Sequence, residues 1–126
     1  MLGIKMNKII FYEDKKHNSE IKEYFDRISC SSQKDDKKIY RKVMHQLNML
    51  ELLGRQLHEP NAKYLKGYKY PLFELRPQPE RIFYVTWQKD KFVLLSHYTK
   101  KSNRTDPREI NKALCLAQDW YERFGM

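Results

Sequence analysis

Cysteine is scarce in this 126-residue chain: Cys30 and Cys115 are the whole complement. That excludes a disulfide-dense secreted scaffold and predicts two reduced, packed thiols, with Cys115 a core residue of a helical face. Glycine is scarcer than average, and the four present, at positions 3, 54, 67 and 125, are too dispersed for a P-loop or a dinucleotide fingerprint. His17, His45, His58 and His97 show no zinc-binding spacing, so neither a metal nor a cofactor is expected. No Ser-His-Asp or Cys-His nucleophile pattern emerges. No apolar run approaches a membrane span, and the first sixteen residues contain neither the apolar stretch nor the small-residue cleavage site of a signal peptide. The expectation is a cytoplasmic protein with no membrane partner. Repeats, low-complexity tracts and linkers are missing as well, which fits one domain over residues 1–126.

Acidic residues also run short. Sixteen Asp and Glu face 25 Lys and Arg, a net charge of +9. A chain one-third charged can be disordered, but nine Tyr, six Phe and two Trp argue for a packed core. The surplus favours polyanionic partners: nucleic acid, a phosphate-rich ligand, an anionic membrane surface or an acidic protein. Its distribution is uneven, with +3 over residues 1–60, +7 over residues 61–108 and −1 over residues 109–126. Lys37, Lys38, Arg41 and Lys42 read as the solvated face of a helix.

Hydrophobic periodicity organises the chain. KIIFY at residues 8–12 reads as a strand. Ile21, Tyr24, Phe25 and Ile28 then share one face of a helix capped by Asn18 or Ser19. Ser32 and Asp35 have the spacing of a capping box for a second, longer helix, which carries Ile39, Val43, Leu47, Leu50 and Leu57 inward and ends at Gly54 or Pro60. Residues 61–70 form a basic, tyrosine-rich loop. Extended runs at residues 72–76, 81–87 and 91–98 predict a three-stranded antiparallel meander with short connections. The middle strand is apolar on both faces, so it should be central and covered on at least one side by the two helices. Asp106-Pro107 starts a last amphipathic helix. The predicted fold class is α+β, in the order β-α-α-β-β-β-α: a meander sheet packed against two N-terminal helices, with a C-terminal helix.

One geometric inference follows from the first hairpin. Arg76 ends one strand and Arg81 opens the next across a four-residue connection, so the two guanidiniums should be directly opposed on one face. Like charges there are unfavourable unless an anion sits between them, and planar bidentate donors match a phosphate well. The alternatives are that they splay to solvent, or that one pairs with Glu74 or Glu80. In the second hairpin, a two-residue loop at Lys89-Asp90 would bring Tyr98 to the arginine face. A three-residue loop would bring His97 instead. Lys100, Lys101 and Arg104 follow closely.

Such a cluster suits metal-free cleavage of RNA, in which a base deprotonates a 2′-hydroxyl, cations stabilise the phosphorane and an acid protonates the leaving 5′-oxygen. It would serve equally well in a basic RNA- or DNA-binding domain without chemistry, or in a face that binds only protein.

The residues Glu74-Leu75-Arg76, Arg81-Ile82-Phe83-Tyr84 and His97-Tyr98-Thr99-Lys100-Lys101, then Thr105-Asp106-Pro107, resemble the HigB-like branch of the RelE/ParE toxin superfamily of type II toxin–antitoxin systems. Two departures stand out: Asp106 is inserted between Thr105 and Pro107, and His97 directly precedes the aromatic where relatives carry it one residue earlier. The resemblance implies a ribosome-dependent, metal-free mRNA endonuclease that inhibits translation. Its implied partner is a HigA-like helix-turn-helix antitoxin, in a complex of heterotetrameric stoichiometry. It gives Arg76 and Arg81 the scissile phosphate, His97 or Tyr98 a proton-transfer or orienting role, and Lys100 and Lys101 phosphate support or the base. Lys66, Lys69 and Arg104 become candidates for ribosomal or messenger RNA contact. The sibling alternative is a ParE-like gyrase poison.

Overall fold

The computed structural model describes residues 6–102 and 104–126. The first five residues of the N-terminal stretch read above for a leader lie outside them. The chain forms β1 (Lys8–Phe11), α1 (Glu20–Cys30), α2 (Lys34–Leu53), a 3-10 turn, β2 (Ala62–Tyr64), β3 (Leu72–Leu75), β4 (Glu80–Trp87), β5 (Lys91–Thr99) and α3 (Pro107–Phe124). This is the α+β arrangement expected, with one additional strand.

Ser19 caps α1, its Oγ accepting from the Lys22 amide at 3.1 Å, and the predicted stripe of Ile21, Tyr24, Phe25 and Ile28 is buried. The capping box expected at Ser32 and Asp35 does not form. Gln33 is the N-cap of α2 and caps with no side-chain bond. One residue upstream of Ser32, Ser31 accepts from the Gln33 amide and donates to Asp36 at 2.7 Å, tying the turn down instead. Gly54 ends α2 at φ 54°, where an added Cβ would stand 2.4 Å from Asn7 Nδ2. Only glycine fits that close approach.

The sheet runs β1-β5-β4-β3-β2. β3, β4 and β5 make the expected meander, β1 joins β5 in parallel, and β2 adds an antiparallel edge to β3. β2 lies within residues 61–70, read from sequence as loop. Three residues with Lys63 and Tyr64 exposed give too short a pattern for alternation to reveal. Central β4 is covered on both sides: Ile82 and Tyr84 pack with α1 and α2, while Phe83 and Val85 pack against Ile110, Ala113 and Ala117 of α3.

Both cysteines are exposed, contrary to expectation. Cys115 lies two residues from Ala113 and from Ala117, about 200° around the helix from each, so the buried stripe of α3 turns it outward. Among the described residues, no helix is long and apolar enough to cross a membrane.

Candidate functional site

β3 pairs with β4 so that Leu75 faces Ile82; continuing that register one residue sets Arg76 opposite Arg81, as the four-residue connection predicts. The anion between them is internal. Strand alternation puts Glu74 on the same face as Arg76, and its fully buried carboxylate takes Arg76 Nε at 3.1 Å and has Arg81 Nε at 3.5 Å, both on Oε1. Oε2 accepts from the Tyr98 hydroxyl at 3.2 Å and from Thr105 Oγ1 at 3.1 Å. One carboxylate thus gathers β3, β4, β5 and the segment leading into α3.

Arg81 is 3% exposed, and its Nη1 donates to Gln78 Oε1 and to the Glu80 carbonyl, both at 3.0 Å. Its Nε lies within ion-pair distance of Glu74 but is misaligned for a hydrogen bond. Burial lowers the Arg81 pKa; the Glu74 carboxylate opposes that shift and Arg76 adds to it. The expectation that both arginines present free forks to an external phosphate is therefore corrected. Arg81 is sealed behind the surface, and Arg76, 17% exposed at its side chain, keeps only a partial opening beside Glu59.

Tyr98, not His97, faces this cluster, by an unexpected route. The β4–β5 connection is the three-residue loop 88–90, with Trp87 opposite Lys91 and Gln88 at φ 55°. Unaltered, that register would turn His97 inward. A β-bulge where the pairing shifts between Phe83 and Tyr84 absorbs one residue of β5, so Arg81 ends opposite Tyr98. The Tyr98 ring stacks on Phe83 with centroids 5.6 Å apart. Burial, and then the neighbouring Glu74 charge, raises its pKa, so the phenol is protonated at neutral pH.

His97 emerges on the opposite face. Its ring stacks on Tyr24 of α1 at 3.7 Å, and burial, reinforced by the Arg27 and Lys112 charges, holds its pKa down to about 4. A neutral imidazole across the sheet cannot share a phosphate with Arg81.

Beyond Tyr98, a cleft of about 410 Å³ opens between the end of β5 and the start of α3. Lys101, Arg104 and Arg108 supply its positive charge, and Asp106 and Glu109 its carboxylates. Asp106 is already committed: it caps α3 through the Arg108 amide at 2.9 Å and pairs with the Arg108 guanidinium at 3.1 Å, contacts that lower its pKa. The first turn of α3 adds the partial positive charge of a helix N-terminus to the same wall. Lys100, half-buried, is fixed through its backbone amide to the Pro79 carbonyl at 3.0 Å. The cleft can hold an anion of phosphate type between exposed cations, with a protonated phenol at its base.

Lys66 and Lys69 do not join it. Their loop packs through Tyr70 against Tyr121, fourteen residues along α3 from the cleft and on the order of 20 Å away; Lys69 covers the Tyr70 ring instead. Sequence reasoning missed Arg108 and Glu109 as site residues because both read as helix-start chemistry. It also missed Glu74 as a centre, although two-residue spacing from Arg76 was available as a signal. Among the described residues, no group of three or more His, Cys, Asp or Glu side chains is arranged to hold a metal ion.

A sheet flanked by helices on both faces, with a cationic cleft at the mouth of its central hairpin, is the class of structure seen here. The family described as phage-derived protein Gp49-like matches residues 33–117, spanning α2, the strands β2 to β5 and the first part of α3, and the chain belongs to that family. No curated protein matches the sequence.

Proposed function

We propose that this protein is the toxin of a type II toxin–antitoxin pair, a metal-free endoribonuclease that cleaves messenger RNA on the ribosome and is held in check by a helix-turn-helix antitoxin. The observation that carries the reading is the cleft over Tyr98, where Lys101, Arg104 and Arg108 surround space for a phosphate beside a protonated phenol. In-line attack of a 2′-oxygen on the adjacent phosphorus forms the 2′-O–P bond and breaks the P–O5′ bond, leaving a 2′,3′-cyclic phosphate and a 5′-hydroxyl. Glu109, the cleft carboxylate not spent on capping, takes the 2′-proton. Tyr98, protonated at neutral pH, gives up its hydrogen bond to Glu74 Oε2 and passes that proton to the departing 5′-oxygen, so it is a donor and not a base. Lys101, Arg104 and Arg108, with Lys100 behind them, offset the charge that builds on the phosphorane. Arg76 and Arg81 act through Glu74, whose carboxylate orients the Tyr98 hydroxyl. They are positioning residues in this scheme.

A second reading, an RNA-binding domain without chemistry, is favoured by one observation: Arg76 and Arg81 are already engaged by Glu74. Expression of the chain alone separates the two. The nuclease reading expects growth arrest with messages cut at ribosome-engaged positions and ending in cyclic phosphate. Arrest with intact message contradicts it and leaves the binding reading; accumulating double-strand DNA breaks would instead indicate gyrase as the target.

A further inference from the structure

A second hollow, of about 380 Å³, lies on the far side of Arg76 from the Tyr98 cleft, between α2 and the β3–β4 connection. Its size is that of a small-molecule site. Pro60 and Pro77 give it flat apolar walls, the exposed His45 ring stands at its edge, and Lys42 and Arg76 bring two cations to it. Gln46 projects into the same lining from α2. That side chain is 8% exposed, its Nε2 donates to Asn61 Oδ1 at 3.1 Å, and its Oε1 is buried with no hydrogen-bond partner. A buried amide acceptor left unpaired costs free energy that a ligand donor recovers.

The hollow is tied to the reaction site. Gln78 lines it, accepts from Lys42 Nζ through its carbonyl at 3.1 Å, and accepts from Arg81 through Oε1 at 3.0 Å. Arg76 belongs to both: it lines the hollow and pairs with Glu74. Gln78 and Arg76 thereby join the hollow to the buried cluster behind the Tyr98 cleft.

We propose that this hollow is a base-recognition subsite for single-stranded RNA, selecting a nucleobase that carries an exocyclic amine, whose N–H donates to Gln46 Oε1 while Lys42 and Arg76 hold the flanking phosphate. Flat apolar walls and an amide on the floor suit a nucleobase, which offers a π-face and a polar edge. Cytosine presents an amino donor where uracil presents a carbonyl acceptor. A carbonyl would meet the Gln46 oxygen as acceptor against acceptor. The inference rests on the RNA-directed reading above.

Fluorescence anisotropy with the full chain tests it, using cytidine and uridine hexamers, and adenosine and inosine hexamers, as matched pairs that exchange amine for carbonyl. The amine member of each pair is expected to bind about tenfold tighter, the scale of one buried hydrogen bond gained against one left unmade. Gln46→Met, similar in length and without the acceptor, should abolish that preference, weakening the amine hexamers and relieving the acceptor clash with the carbonyl ones. Lys42→Gln should weaken all four hexamers alike and keep the preference, and circular dichroism and thermal melting of the Gln46 variant control for a folding defect in it. Equal binding within both pairs, or a preference that survives Gln46→Met, overturns the subsite while the RNA-directed reading stands. No binding of any hexamer likewise overturns the subsite, while the nuclease reading stands or falls on cleavage of ribosome-engaged message.

Discussion

Arg81 Nε stands 3.5 Å from Glu74 Oε1, and neither side chain reaches solvent to any useful extent: Glu74 is fully buried and Arg81 is 3% exposed. Desolvation makes such a pair a poor source of net stability but an expensive one to break on one side only. Glu74→Gln leaves the Arg81 charge uncompensated and should cost about 3–5 kcal/mol in denaturant unfolding. Glu74→Leu combined with Arg81→Met should recover most of that loss. A double variant as unstable as the single one would show that shape, not charge compensation, governs the cluster.

Tyr98 occupies the junction between this buried cluster and the open cleft. Tyr98→Phe keeps the ring stacked on Phe83 and removes the hydroxyl that donates to Glu74. Loss of a proton donor at the reacting oxygen is expected to slow cleavage by roughly 10²–10⁴-fold, with circular dichroism unchanged. RNA affinity should hardly move. A variant that cleaves at the parent rate would remove Tyr98 from the chemistry.

Arg104 and Lys101 are exposed and line the cleft. Each phosphate contact on a single strand contributes about 0.7 to the slope of log affinity against log salt. Arg104→Ala and Lys101→Ala should each reduce that slope by about this amount, across sequences alike. The same substitutions at Lys66 and Lys69, remote from the cleft, should leave the slope unchanged for short oligomers.

His97 gives the protein a pH signature. Its folded pKa of about 4 lies below its ordinary value of 6.5, so the fold prefers the neutral ring. The stability it contributes is fully present above pH 6.5 and is lost as pH falls from there toward 4. Buried Glu80, with its pKa raised chiefly by desolvation, acts in the opposite sense, since its protonated form is favoured in the fold. His97→Phe retains a ring against Tyr24 and isolates the first effect. Thermal melts should show the parent losing Tm relative to the variant between pH 6.5 and 4, and parallel curves would place His97 in solvent.

The hairpin facing of Arg76 and Arg81 was legible because a four-residue connection fixes which residues oppose each other. So were the helix faces up to Leu50, the Asp106 cap, and Gly54 as one of two candidate stops for α2. Tyr98 was legible only as one of two choices, because a bulge leaves no mark in an apolar run such as 92–95 and here reverses what the loop length alone implies. The internal anion was within reach of the sequence, since Glu74 and Arg76 share strand parity. Burial decides that Glu74, and not a ligand, fills the space, and burial depends on Thr105 and α3 folding over the sheet. The cysteines turned outward for a similar reason: stripe geometry, not residue type, sets what is packed.

The most direct test of the nuclease reading is a reconstituted translation reaction with purified protein, in which the 5′ ends of a defined message are mapped with and without ribosomes. Discrete cuts that require ribosomes and vanish with Tyr98→Phe are expected. A message that stays full-length on elongating ribosomes, at protein concentrations that saturate RNA binding, would contradict it.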